Sequence, residues 1–465
     1  MMMLPKMMLW NVLLALAGIA CLAGGAMAQA KPTHLVFWRA SDIRDGRNVR
    51  FEAHPLTEAK RTVLIPADPN NASFRCLPTD AVPTDDGILV YYLRTDNNVK
   101  YAEQRIWCLG FLRKDEFVLP DLKLFPQSWA GPANVALTRS PHDPSWGGFN
   151  VFQVVSDLKG GYRLLYWDQP DEGKAGGMLA SSPDGIHWTK DERKTAVFTE
   201  TNDAYSLVAA ADGSGYILYQ TRLRDWPEKP FPDNLSAYRR VTSLRRSPDL
   251  VTWTGQEIIL EPDDQDAPSC EFYLLKVFRY CDRYVGLIRK YYADPTTPGK
   301  HGNIWRCELI FSDDGARWER PYRYTDMVIW SYATPFEHDG DLCVVARQDN
   351  EMSLYRMRRD GMASCGADGE GSFCTKPFVM RESGLTLNAD CRGGSIGVEA
   401  LDAKGQVLEG FGADQCRFSD MDGTSLPLKW AGKGPKDLAG KTVQCRFVLK
   451  HAKIFSVSGE GTKGG

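Results

Sequence analysis

Two carboxylates stand out by their spacing. Asp203, within Asn202-Asp203-Ala204, precedes an apolar run beginning at Tyr216 by 13 residues, and Glu271, within Cys270-Glu271-Phe272, precedes the run at Tyr284 by 13. Equal offsets put both side chains at matching points of neighbouring structural units. A pair of carboxyl groups suits general acid/base chemistry. One stays protonated to assist the leaving oxygen, and the other is ionised to attack or to activate water. Phe272 and Tyr273 give Glu271 an aromatic neighbourhood of the kind that raises a carboxyl pKa, and Tyr273 is itself a candidate sugar contact. The bland reading of Glu271 is an ion pair with Lys276 or Arg279.

The same count back from Tyr162 reaches Phe149, with Asn150 beside it, and from Ile88 it reaches Arg75. Neither of these matching positions holds a carboxylate. Asp143, in His142-Asp143-Pro144, is the substitute that a loop could bring inward, and Asn150 is a candidate for binding sugar hydroxyls. Arg75, at the strand-opening register, hints at an anionic substrate. Arg239 and Arg240 lie between the two carboxylates in sequence. Facing inward, they could hold an acidic sugar or a sulfate bidentately, or lower the pKa of Asp203; the alternative is a solvated charge pair.

The elements that must position these residues are visible in an internal repeat. Ser182-Pro183-Asp184-Gly185-Ile186-His187-Trp188 recurs as Ser247-Pro248-Asp249-Leu250-Val251-Thr252-Trp253 and as Ser312-Asp313-Asp314-Gly315-Ala316-Arg317-Trp318, at an interval of 65 residues both times. The Asp and Gly suit a tight turn, because the carboxylate accepts local backbone N–H groups and Gly tolerates positive φ. The Trp can clamp that turn against a sheet. These aspartates therefore read as peripheral turn residues, and the tryptophans as core. Strand-like runs at Ile88, Tyr162, Tyr216, Tyr284 and Leu342 make five units, each long enough for about four strands, which is the size of a propeller blade.

After Thr375 the pattern changes to alternating strands such as Ser395–Leu401 and Val443–Leu449, read as an antiparallel β-sandwich. The expected organisation is a signal segment over 1–28, a five-bladed β-propeller over 31–375, a β-sandwich over 376–458 and a flexible tail over 459–465. The class is all-β. The glycine-rich run Cys365–Gly371 reads as an exposed loop.

Composition narrows the function. With Lys+Arg 56 against Asp+Glu 59 in 465 residues, and no long run of either sign, a nucleic-acid platform or a polybasic membrane surface is excluded. Lys6, the apolar stretch Trp10 to Gly24 and Ala26-Met27-Ala28 have the layout of a cleaved secretory signal, too short to span a bilayer. The expected location is periplasmic or extracellular. Export permits disulfides, with Cys270/Cys281 and Cys365/Cys374 as the close pairs. No Cys/His spacing suits zinc.

The five units, the Ser-x-Asp-Gly-x-x-Trp turns and the terminal strands, with Leu385-Thr386-Leu387-Asn388-Ala389-Asp390 followed by Gly394-Ser395-Ile396, resemble the five-bladed β-propeller glycoside hydrolases of families 32, 43 and 68. The chain is similar to uncharacterised secreted bacterial family-32-like proteins. The resemblance implies an axial funnel with three carboxylates acting as nucleophile or base, transition-state stabiliser and general acid. Glu271, preceded by Cys270 as in the family, matches the acid, and Asp203 matches the stabiliser or serves as an alternative base. The family's Asn-Asp-Pro-Asn-Gly phrase survives only as Asp68-Pro69-Asn70, outside the register. The implied function is a secreted glycoside hydrolase acting on an oligo- or polysaccharide. Its rival is a glycan-binding propeller that has lost the nucleophile. No cofactor is expected; an axial Ca ion would be compatible with such a channel, but no residue pattern calls for one. The expected partner is a carbohydrate, with no nucleic acid and no membrane span.

Overall fold

The computed structural model describes residues 32–459, apart from 115, 126–132, 158–159, 200–201, 231–232, 234, 236, 293–303, 329–332 and 382. The expected signal segment and nearly all of the tail lie outside the described residues. Among the described residues, no helix is long and apolar enough to cross a membrane.

Five antiparallel sheets follow one another along the chain. Blade 1 comprises Phe74–Thr84, Gly87–Asp96, Arg105–Arg113 and Glu116–Val118, and blade 2 comprises Asn150–Ser156, Tyr162–Asp168, Gly176–Ser182 and Thr189–Lys190. Tyr205–Ala209, Tyr216–Asp225, Tyr238–Ser247 and Glu257–Leu260 form blade 3, and Cys270–Tyr280, Arg283–Tyr292 and Ile304–Ser312 form blade 4. Blade 5 combines Phe336–His338, Asp341–Gln348 and Glu351–Met357 with Lys60–Ile65 from the other end of the chain. That borrowed strand closes the ring by hydrogen bonding.

Every pair of adjacent blades shares a hydrophobic cluster, including blades 4 and 5 and blades 5 and 1. The chain is thus a five-bladed propeller. This packing explains the sequence. Second strands such as Gly87–Asp96 and Arg283–Tyr292 are apolar on both faces because each is covered from two sides.

The repeated turns fasten one blade to the next. In the first copy, Asp184 Oδ1 accepts N–H groups from Ile186 and His187 at 2.8 and 2.9 Å, and Trp188 Nε1 donates to Gly185 O at 3.0 Å. Asp249 and Asp314 accept the corresponding N–H groups in the other two copies. Gly185 adopts φ +78°, and a Cβ there would meet the Tyr91 hydroxyl of blade 1 at 2.8 Å. That hydroxyl instead donates to Gly185 O at 2.6 Å, as Tyr219 does to Gly315 O at 2.8 Å. In these two copies glycine suits the positive φ and leaves room for the tyrosine, whereas the second copy holds Leu250 at φ +68°.

A ten-stranded antiparallel sheet holds the C-terminal region around its own core, which includes Phe373, Phe447 and Trp430. Its spine is Thr442–Gly459. Gln444 to Lys450 pairs with Ser395–Leu401, and from Lys453 onward the spine pairs with Leu385–Asp390. The handover falls at His451, where φ is +45°. The sheet also takes in His34–Val36, Ile43–Arg47, Arg50–Ala53 and Ala363–Thr375, segments numbered within the expected propeller range. Their inward positions, including Phe37, Cys365 and Phe373, belong to the C-terminal core.

Two expectations are corrected here. The glycine-rich run Cys365–Gly371 is not a loop but part of the strand Ala363–Thr375. Its glycines admit close backbones: a Cβ on Gly366 would meet Ala452 O at 2.9 Å, and one on Gly371 would meet Asn48 O at 2.6 Å. The proposed disulfides are absent, since all eleven described cysteines are free. Cys365 and Cys374 lie on a single strand, roughly 30 Å apart at about 3.3 Å per residue. Cys270 and Cys281 bracket another such strand. Neither pair can approach the Cα separation of about 4.4–6.8 Å that a disulfide needs.

Candidate functional site

The inner strands of blades 1 to 4 converge on a cavity of about 370 Å³. Three of them carry a β-bulge there: between Pro78 and Asp80, between Val151 and Val154, and between Phe272 and Leu274. A bulge interrupts strict alternation and re-aims side chains. In blade 4 it brings both Tyr273 and Leu274 to the cavity.

One wall is built around Asp203, whose side chain is 18% exposed. The Arg105 guanidinium lies 3.6 Å from its carboxylate, and Gly148 N–H and Asn150 Nδ2 approach the same oxygen at 3.4 and 3.5 Å. The loop Trp146-Gly147-Gly148 folds over this group. A Cβ on Gly147, at φ +66°, would meet Asp203 Cβ at 2.9 Å. Trp146 is thereby presented at the cavity with 45% of its surface exposed, its carbonyl held by Trp167 Nε1 at 2.9 Å.

The opposite wall is built around Arg240, whose guanidinium sits 5.1 Å from the ring centres of both Tyr273 and Tyr291. Behind it lies Glu271, fully buried. Glu271 Oε2 accepts from Arg240 Nη1 at 2.8 Å and from its backbone N–H at 2.9 Å, and Oε1 lies 2.6 Å from Lys229 Nζ. Asp233 completes a closed square of charges, 2.8 Å from Lys229 and 3.0 Å from Arg240. Burial disfavours the charge on Arg240, but Glu271, Tyr273 and Asp233 outweigh it and hold its pKa above the ordinary value. Burial likewise works against the Asp233 carboxylate, and the Lys229 hydrogen bond, the Leu235 N–H and Arg240 hold its pKa well below the usual range.

Lys276 forms the floor. Its Nζ donates to the carbonyls of Thr79 and Phe152 at 2.7 and 3.1 Å, bridging blades 4, 1 and 2. Burial pushes its pKa down to about 8, opposed by Asp80. Burial in turn raises the pKa of Asp80, whose carboxylate accepts Val154 N–H at 2.7 Å. Gln153 then ties Leu207 N–H and Val277 O together at 2.8 and 2.9 Å.

Of the residues expected from sequence, Asp203, Asn150, Arg240 and Tyr273 line one cavity. Glu271 stands behind its wall. Its partners are Lys229 and Arg240, not Lys276 or Arg279, because the bulge at Tyr273 sends Lys276 to the floor. Arg239 turns away, stacking 4.6 Å from the Trp226 ring centre and donating to Cys270 O at 3.0 Å. Arg75 opens the inner strand of blade 1 but does not line the cavity. Asp143 is 63% exposed, paired with Lys100 at 2.8 Å and Arg139 at 3.7 Å, and the Lys100 hydrogen bond lowers its pKa. It does not reach inward. Sequence reasoning missed Arg105, Arg289 and Tyr101 in the lining. Arg105 and Arg289 sit on third and second strands of their blades, away from the strand-opening register.

His34, Cys281 and Asp360 bring ligating atoms within 4.8 Å of one another, away from this cavity. Nδ1 of His34 faces Cys281 Sγ at 3.5 Å, and Nε2 faces Asp360 Oδ1 at 3.0 Å. His34 thus links the two through opposite edges of its ring.

No protein-family model matches the chain, and no curated protein matches it. Among solved structures it is similar to a "Glycoside hydrolase" at 12% identity and TM-score 0.42, covering 69% of this chain and 94% of that one. It is similar to Bombyx mori GH32 beta-fructofuranosidase BmSUC1 at 10% identity and TM-score 0.42, covering 88% and 95%. A GH43_1 enzyme from Xanthomonas citri complexed with xylose aligns at 12% identity and TM-score 0.41, covering 65% and 90%.

Proposed function

We propose that this chain is an exported glycan-binding propeller that holds a sugar in the axial cavity without the two-carboxylate chemistry of glycoside hydrolysis. The observation that carries this reading is the carboxylate inventory. Among the described residues, Asp203 is the one carboxylate in the cavity lining. Glu271, the expected acid, has both oxygens committed to cations and no exposed surface. Hydrolysis needs two carboxyl groups flanking one bond, at roughly 5–5.5 Å for retention or roughly 6.5–9.5 Å for inversion.

The remaining chemistry of the lining favours a sugar. An exposed indole offers an apolar face to the C–H groups of a sugar ring, and Asp203, Asn150, Asn202 and Arg105 supply acceptors and donors for its hydroxyls. The volume lies within the range of small-ligand sites, about 300–1,000 Å³. In this reading Glu271 is a positioning residue for Arg240. Asp203 orients the ligand, and the C-terminal strands form a β-sandwich that braces the ring.

The test incubates the purified mature protein with neutral and acidic oligosaccharides and measures binding and released reducing ends together. Binding without release, lost in Trp146→Ala, is expected. Release by the wild type that disappears in Asp203→Asn would overturn the reading in favour of hydrolysis.

A further inference from the structure

Three segments far apart in the chain meet outside the axial cavity. His34 belongs to His34–Val36, which pairs with the spine of the C-terminal sheet. Cys281 sits in the turn between Cys270–Tyr280 and Arg283–Tyr292 of blade 4, and Asp360 lies between Glu351–Met357 of blade 5 and Ala363–Thr375. One ligating atom from each residue, a sulfur, a ring nitrogen and a carboxylate oxygen, lies within 4.8 Å of the other two. Among the described cysteines, Cys281 is the one that is not buried.

The separations suit a tetrahedral cation. Zinc lies about 2.3 Å from a thiolate, about 2.0–2.1 Å from an imidazole nitrogen and about 2.0–2.2 Å from a carboxylate oxygen. At the tetrahedral angle, sulfur and nitrogen on one ion stand about 3.6 Å apart, and nitrogen and oxygen about 3.4 Å. Here Cys281 Sγ is 3.5 Å from His34 Nδ1, and Asp360 Oδ1 is 3.0 Å from His34 Nε2. These contacts use different ring nitrogens, and an ion takes one of them. Loading therefore exchanges one hydrogen bond for a metal bond, a shift that the mutual limit of 4.8 Å keeps to about an ångström. Supporting contacts are already in place. Asp360 accepts the Tyr280 hydroxyl at 2.6 Å and the Ser456 hydroxyl on its other oxygen, and its carbonyl accepts Trp38 Nε1 at 2.9 Å. Hydrogen bonds of this kind orient a ligand before the metal arrives.

We infer that His34, Cys281 and Asp360 bind a divalent cation of the zinc class, with water at the fourth position, and that the ion clamps the C-terminal sheet to blades 4 and 5. A thiolate, an imidazole and a carboxylate together select a borderline cation over calcium or magnesium, which take oxygen ligands. The partly exposed Cys281 gives the ion its way in, while Asp360 anchors the buried side. The ligands stand at positions 34, 281 and 360, so no short Cys/His spacing marks the site in sequence. It lies away from the sugar cavity and does not depend on the glycan-binding reading.

The experiment dialyses the mature protein, kept reduced, against zinc or cobalt(II) and counts bound metal by elemental analysis. One ion per chain is expected, and the cobalt form should show tetrahedral d–d bands with a near-ultraviolet thiolate-to-metal charge-transfer band. Zinc should raise the unfolding midpoint, and a chelator should reverse the rise. Cys281→Ala should abolish the charge-transfer band and weaken zinc binding by more than the roughly hundredfold ceiling of an outer-shell loss. Ser456→Ala, which touches Asp360 alone of the three ligands, should weaken it about tenfold, within that outer-shell range. His34→Gln should match Cys281→Ala in zinc affinity and serves if that variant fails to fold. Absence of bound metal would overturn the assignment. So would zinc held equally by wild type and Cys281→Ala, which would place it on exposed pairs such as His142 with Asp171. Either contrary result leaves the glycan reading untouched.

Discussion

Blade 3 and blade 4 open on carboxylates at the same register, yet the two sites are physical opposites. Asp203 faces the cavity, with one guanidinium 3.6 Å away and 18% of its side chain exposed. Glu271 is sealed behind the wall, clamped by Lys229 and Arg240. The backbone explains the difference. Asp203 precedes the short inner strand Tyr205–Ala209, whereas Glu271 lies within the long strand Cys270–Tyr280, just before the bulge that turns Tyr273 to the cavity. Matched spacing fixes where a residue stands along a blade; the local irregularity decides which way it faces.

Substitutions at the two positions should therefore separate stability from binding. The largest effect belongs to Glu271→Ala, which leaves Lys229 and Arg240 sharing Asp233 alone in a buried setting. Breaking a buried ion pair from one side costs about 3–5 kcal/mol, to be read from denaturant unfolding; a loss below about 1 kcal/mol would show that the charge square is not a structural unit. Asp203→Ala should spare the unfolding midpoint and weaken ligand binding by roughly tenfold, the scale of one charge-assisted hydrogen bond. Loss of fold with no specific loss of binding would erase the contrast. Asp143→Asn, at an exposed pair, should change neither quantity.

A smaller effect than that of Glu271→Ala sharpens the comparison from outside. Asp314→Ala removes the turn carboxylate that accepts Ala316 and Arg317 N–H groups at 2.8 Å, with an expected loss of about 1 kcal/mol. The Arg317 N–H bond leads the groups that lower the pKa of Asp314. Its stabilising contribution is therefore present above the unfolded carboxyl pKa of about 4 and fades as pH falls through the lower folded value. The gap between wild type and Asp314→Ala should be full at pH 6 and close in acid. A gap independent of pH would remove the carboxylate from the account of the turn.

The 65-residue repeat made the blades legible because each turn places Ser, Asp and Trp by local geometry, which survives in sequence as spacing. The five strand-rich runs supplied the rest of the ring. Less visible was what depends on distant partners. Lys60–Ile65 joins blade 5 across most of the chain, and no local pattern marks that pairing. Cys365–Gly371 looked like a loop because glycine signals turns, but here it signals a strand with backbone close on both sides. At the site, Asp203, Asn150, Arg240 and Tyr273 were found through register or proximity. Arg105 and Arg289 were not, since cations on second and third strands carry no positional signature. The orientations of Glu271 and Lys276 depended on one bulge, which the sequence does not announce.

The account stands most directly on where a glycan binds. A crystal structure of the mature protein with a captured oligosaccharide is the decisive measurement. The predicted result is a sugar ring between Trp146 and Asp203, with Glu271 still bonded to Arg240. A glycan seated elsewhere, or one whose scissile oxygen contacts a freed Glu271, would contradict it.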